Sequence, residues 1–66
     1  MKFKDILREL RQEKHLTQAQ LAKELNVSLS IVNKWENEKK NPSVDTLIIL
    51  SKYFKVTVDY LLGLEN

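Results

Sequence analysis

An all-α domain is the fold that this sequence predicts, and three observations carry the prediction. Apolar residues recur at helical spacing, Ser or Thr stands ahead of several such stretches at a capping position, and the chain holds one Gly and one Pro. With 66 residues there is room for one small domain, which buries only about 60% of its unfolded surface. No Cys is present, so neither a disulfide framework nor a thiolate metal site is available, and helix packing must supply the stability.

Phe3, Ile6, Leu7, Leu10 and Lys14 follow i, i+3, i+4 spacing and predict an amphipathic first helix over residues 3–14. His15 and Leu16 break that pattern. Thr17 then reads as an N-cap, and Thr17-Gln18-Ala19-Gln20 fits a capping box opening a second helix over about 18–25, with Leu21, Ala22 and Leu25 inward. Asn26 tolerates a left-handed backbone and can turn the chain sharply. Val27 should drop into the core while Ser28 caps a third helix over 28–36. A polar connection, 37–41, leads to Pro42, and Ser43 caps a fourth helix over about 44–54 with Val44, Leu47, Ile48, Leu50 and Phe54 on its inner side. Thr57 caps a last helix over about 58–62 that ends at Gly63, a suitable residue beyond a C-cap. The connections are short and no repeat or linker interrupts them, so residues 1–66 form a single domain.

The longest apolar run, Leu47 to Leu50, is far short of the roughly 20 residues of a membrane span. The N-terminus carries no apolar signal-peptide core, and a soluble intracellular domain is expected. Residues 1–40 hold nine Lys or Arg against six acids, and residues 41–66 hold two against three. The basic half is the half with the two-helix unit, which weakly favours a polyanion on that side.

Placed on a helix at about 100° per residue, Ile31, Val32 and Trp35 cluster on one arc. Leu29, Ser30, Asn33 and Lys34 take the opposite side. The major groove of B-DNA admits a helix and presents donors, acceptors and thymine methyls. Asn33 suits adenine there, Lys34 guanine, Ser30 several bases and Leu29 a methyl group. Spacing alone leaves an ordinary solvated face equally open.

The run TQAQLAKELNVSLSIVNKWENEKKNPS resembles the helix-turn-helix of the lambdoid phage repressor and Cro (XRE) family, and VTVDYLLG resembles the segment that closes such domains. The resemblance spans roughly residues 4–63. It implies a compact five-helix repressor-like domain in which the helix opening at Ser28 reads bases. Gln18 and Ser28, at helix starts, then contact phosphate, as helix N-termini with free N–H groups do. Asn37, Lys39 and Lys40 follow the reading helix and reach the backbone beside it. The resemblance also implies a partly buried ion pair between Arg11 and Glu36. Two departures stand out: Glu38 replaces the family's common Gly after Glu-Asn, and Asn26 replaces a common turn Gly.

Several residues of suggestive type belong elsewhere. Trp35 shares the inward arc with Ile31 and is a core residue rather than a base-stacking one. His15, without Cys or a second His, is a helix-end residue and not a metal ligand, and no cofactor is expected. Asp5/Glu9 and Glu36/Glu38 have no cavity to raise a pKa, so catalysis is not expected. The resemblance implies a bacterial or phage-encoded cytoplasmic transcriptional regulator, by preference a repressor. Its partner would be double-stranded DNA, bound at a pseudo-palindromic operator by a homodimer that meets through Tyr60, Leu61, Leu62 and Leu64, insofar as these do not fill the core. The competing reading is an antitoxin-like protein-interaction module on the same fold. Salt dependence of DNA binding separates the two.

Overall fold

A computed structural model describes residues 2–65 and places five helices in them: α1 (Phe3–Glu13), α2 (Gln18–Leu25), α3 (Leu29–Glu36), α4 (Val44–Phe54) and α5 (Val58–Leu61). No strand occurs among the described residues. The helix starts follow the capping rule closely. Thr17, Ser28, Ser43 and Thr57 each accept, through the side-chain hydroxyl, the N–H of the residue three positions on. At Thr17 the box is complete, because Gln20 Oε1 accepts the Thr17 N–H at 2.8 Å. Only α1 starts without a side-chain cap, at Lys2.

All five helices end through a residue with a left-handed backbone: His15, Asn26, Glu38, Lys55 and Gly63. Four of these endings, at His15, Asn26, Glu38 and Gly63, form a paired closure. The N–H groups of His15 and Leu16 reach the carbonyls of Gln12 and Arg11, those of Asn26 and Val27 reach Lys23 and Ala22, those of Glu38 and Lys39 reach Trp35 and Lys34, and those of Gly63 and Leu64 reach Tyr60 and Asp59. Helix carbonyls that would otherwise lack partners are thereby satisfied, and the chain reverses within a few residues.

The core gathers Ile6, Leu7 and Leu10 of α1, Leu21 and Ala22 of α2, Val32 and Trp35 of α3, Leu47, Leu50 and Phe54 of α4, and Leu61 of α5. Leu25, Val27 and Ile31 pack against it partly buried. α2 lies on α3, and α1 spans α3 and α5, while α4 packs on α5. Three expected boundaries move by one residue: α1 stops at Glu13 because Lys14 is its C-cap, α3 begins at Leu29 because Ser28 is its N-cap, and α5 stops at Leu61 with Leu62 as its C-cap. One expectation about the core is overturned. Val44 and Ile48 are 72% and 42% exposed, not inward, since α4 is apolar on more than one face and the residues it buries fully are Leu47, Leu50 and Phe54. In the C-terminal segment Leu61 is buried, whereas Tyr60, Leu62 and Leu64 are exposed.

The left-handed residues give a direct test of the backbone. Lys55 holds φ 57° after α4, a conformation that crowds its Cβ against a carbonyl oxygen and that Gly adopts freely. Lys55→Gly is expected to stabilise the fold by about 0.5–1 kcal/mol, seen as a higher urea midpoint. A lower midpoint would show that this closure does not require a left-handed residue.

Candidate nucleic-acid interface

The turn between α2 and α3 occupies residues 26–28. Asn26 holds φ 60°, and its own N–H and that of Val27 bond to the carbonyls of Lys23 and Ala22 at 3.2 and 2.9 Å. Val27 faces the core, and Ser28 Oγ accepts the Ile31 N–H at 3.1 Å. Local chemistry therefore fixes where α3 starts.

Burial fixes which way α3 faces. Val32 and Trp35 are buried, Trp35 to 3% exposure, and Ile31 is half-buried. Leu29 is 50% exposed, and Ser30, Asn33 and Lys34 share the open side with it. No salt bridge among the described residues involves Lys34, Lys39 or Lys40.

Beneath that open face lies a buried carboxylate. Glu36, at the last turn of α3, is only 1% exposed. Arg11 grips it with two bonds, Nε to Oε2 at 2.7 Å and Nη2 to Oε1 at 2.9 Å. Gln18 Nε2 donates to Oε1 at 3.2 Å, and Arg8 adds Nε to Oε1 at 3.4 Å and Nη2 to the Glu36 carbonyl at 3.0 Å. Arg11 also donates to the Leu16 carbonyl at 2.8 Å, tying the end of α1 to the same centre. Burial pushes the Glu36 carboxyl upward, but the bonds from Arg11, Gln18 and Arg8 and the charge of Arg11 prevail, and its pKa falls below the ordinary value. No buried side-chain nitrogen or oxygen among the described residues lacks a hydrogen-bond partner.

Gln18 connects this centre to the surface. Its Oε1 accepts from Asn33 Nδ2 at 3.2 Å while its Nε2 serves Glu36. Arg11, Glu36, Gln18 and Asn33 thus form one hydrogen-bonded path across α1, α3 and α2, ending on the open face of α3. Asn37 donates its side-chain amide to the Asn33 carbonyl at 2.8 Å and so closes the end of the same helix.

A similar architecture recurs in known proteins. The helix-turn-helix profile HTH_3 matches residues 7–61. The chain belongs to this helix-turn-helix family. Among its relatives, the HTH-type transcriptional activator BcrR of Enterococcus faecalis is 46% identical over 66 residues, covering 100% of this chain and 32% of BcrR. The HTH-type transcriptional regulator ImmR of Bacillus subtilis is 39% identical over 60 residues, 91% of this chain and 47% of ImmR. The transcriptional repressor RstR of the cryptic phage CTXphi in Vibrio cholerae is 32% identical over 63 residues, 96% of this chain and 56% of RstR. A crystal structure of a transcriptional regulator from Listeria innocua superposes with a TM-score of 0.88 at 31% identity, covering 98% of this chain and 61% of that one. The chain therefore spans from about a third to just over half of the lengths of these curated relatives.

Within this helix-turn-helix chain the structure brings Gln18, Leu29, Ser30, Asn33, Lys34 and Asn37 around α3, with Lys39 and Lys40 exposed in the connection that follows. The Arg11–Glu36 pair is present. Sequence reasoning did not anticipate that Arg8 and Gln18 also hold Glu36, or that Lys2 and Lys4 bind Glu38 at 3.1 and 3.6 Å. Both involve residues far apart in the chain, for which local patterning offers no signal. Among the described residues, no group of three or more His, Cys, Asp or Glu side chains could hold a metal ion.

Breaking the pair at Arg11 leaves a buried charge, so Arg11→Ala is expected to cost about 3–5 kcal/mol in urea unfolding. In a double-mutant cycle with Glu36→Gln the two losses should be strongly non-additive, and additive losses would show that the residues act independently. The Glu36 pKa is lower in the folded than in the unfolded chain, so its contribution is complete above about pH 4.3 and is lost as pH falls through the folded value. The stability gap between wild type and Glu36→Gln should hold between about pH 7 and 5 and shrink below about pH 4.

Proposed function

We propose that this chain is the sequence-specific DNA-binding domain of a transcriptional regulator that inserts the outer face of α3 into the major groove. The observation that carries the reading is the orientation of α3, with Trp35 and Val32 buried and Leu29, Ser30, Asn33 and Lys34 open. Asn33 matches the paired donor and acceptor edge of adenine, Lys34 the acceptors of guanine, Ser30 either kind of group and Leu29 a thymine methyl. Because Asn33 is tethered through Gln18 to Glu36, it meets the base from a position fixed by the core.

Phosphate contacts flank the reading helix. The capping box takes the Gln20 N–H, leaving those of Gln18 and Ala19 without an intrahelical acceptor at the positive end of α2. These groups, the Gln18 amide and the Ser28 hydroxyl grip one stretch of backbone, while Asn37, Lys39 and Lys40 grip the next. Operator occupancy suits a repressor, the function in RstR's name, whereas BcrR is named an activator. No helix among the described residues is long and apolar enough to cross a membrane, and a bacterial or phage-encoded regulator of this kind works at DNA in the cytoplasm. The exposed Tyr60, Leu62 and Leu64 are suited to a two-fold homodimer, which places two reading helices about 34 Å apart on a pseudo-palindromic operator.

Selection of bound sites from a random duplex pool is expected to return two related half-sites about 10 base pairs apart. Affinity for the selected site should fall steeply as salt rises. Lys34→Ala should cost about 1–3 kcal/mol at one base pair and relax preference there. Lys39→Ala and Lys40→Ala should weaken operator and random DNA alike and each reduce the salt slope by about 1. Equal losses on operator and random DNA for all three variants would contradict the division of roles. Absence of DNA retention even at low salt would turn the reading toward a protein-groove partner.

A further inference from the structure

Glu38 is the one acid in the connection after α3, a segment otherwise rich in donors: Asn37, Lys39, Lys40 and Asn41. Its backbone holds φ 59°, the conformation that Gly adopts most easily, so the backbone gives no reason for a carboxylate here. The side chain does. Oε1 lies 3.1 Å from Lys2 Nζ and Oε2 lies 3.6 Å from Lys4 Nζ, so each carboxylate oxygen takes one ammonium from the start of α1. These groups and Lys40 line a cleft together with Phe3 and Trp35, beside the end of α3.

We propose that Glu38 is an internal competitor for nucleic-acid phosphate, occupying Lys2 and Lys4 in the free chain so that a DNA backbone must displace it to engage them. The inference rests on the DNA-binding reading and goes beyond it, because it assigns Lys2 and Lys4 to the interface and gives Glu38 an opposing role. Carboxylate and phosphate oxygens accept from ammonium in the same geometry, so the exchange replaces one acceptor by another without refolding. Lys2 and Glu38 are exposed, with side-chain exposures of 68% and 47%, and Lys4 is half-buried at 35%, and ion pairs open to solvent in this way are weak enough to be exchanged. Lys39 and Lys40 have no such partner among the described residues and are ready for phosphate from the outset. Phosphate contacts carry no sequence information, so Glu38 weakens binding to every duplex alike.

The test compares wild type, Glu38→Gln, Lys2→Gln/Lys4→Gln and the triple variant for binding to an operator duplex and a random duplex across a salt series. Circular dichroism verifies that each is folded. Glu38→Gln should raise affinity for both duplexes by roughly 3–10-fold at low salt and steepen the log–log salt slope by up to about 2. In the Lys2→Gln/Lys4→Gln background the same substitution should change affinity by less than about 2-fold, because no lysine remains to release. Glu38→Gly, which also relieves the backbone, should show the same DNA gain as Glu38→Gln. Unchanged affinity in Glu38→Gln overturns the proposal. So does a full gain in the background lacking both lysines, which would mark Glu38 as a simple repulsive charge. If wild type and every variant fail to bind DNA at low salt, the DNA-binding reading itself falls and the proposal with it.

Discussion

The carboxylate of Glu36 governs how α1, α2 and α3 stand relative to one another. Apolar contacts are non-directional and would permit several arrangements of three short helices. A buried charge is less tolerant, because it must be met by donors at defined positions. Here two donors come from Arg11, one from Arg8 and one from Gln18, so α1 and the first residue of α2 converge on the last turn of α3. Moving any of the three helices breaks a bond to a group that has left water. The pair's main contribution is therefore to orientation, and it is that orientation which turns Leu29, Ser30, Asn33 and Lys34 outward.

The same economy appears at the helix ends. Helices of eight and eleven residues can form a core only if the chain reverses quickly between them, and left-handed closures do this at every end. His15 and Asn26 hold positive φ where a neighbouring helix must begin within a few residues. Tyr53 then draws three helices together from the far side. Its ring lies 5.0 Å from Lys14 Nζ, its hydroxyl donates to Glu24 at 3.2 Å, and it meets Phe54 edge to face at 4.9 Å between ring centres. Exposed and buried polar pairs thus complement one another, the buried one setting geometry and the exposed ones adding small increments.

What the sequence disclosed and what it withheld divide along the range of the forces involved. Thr17, Ser28, Ser43 and Thr57 announce their helices because capping acts over three residues, and Asn26 announces its turn for the same reason. The outward face of α3 follows from the placement of Val32 and Trp35. Along α4 the pattern is ambiguous: Leu47, Ile48, Ile49 and Leu50 are consecutive, and only the neighbouring helices decide that Ile48 stays exposed while Leu47 and Leu50 are buried. The Arg11–Glu36 pair follows from the family resemblance, not from the residues alone. Arg8 stands one turn before Arg11 with the same long reach, and the sequence gives no means of telling that both converge on one carboxylate. The resemblance assigns Gln18 to phosphate, and the fold engages it with Glu36 and Asn33.

The measurement that bears most directly on the orientation of α3 is an amide chemical-shift titration of the folded chain with a short duplex carrying a selected site. The largest changes should fall on Gln18, on residues 28–34 and on residues 37–40, forming one continuous surface. Changes centred instead on Val44, Ile48 and Ile49, with residues 28–34 unmoved, would mean that the surface held out by Glu36 is not the one that meets nucleic acid.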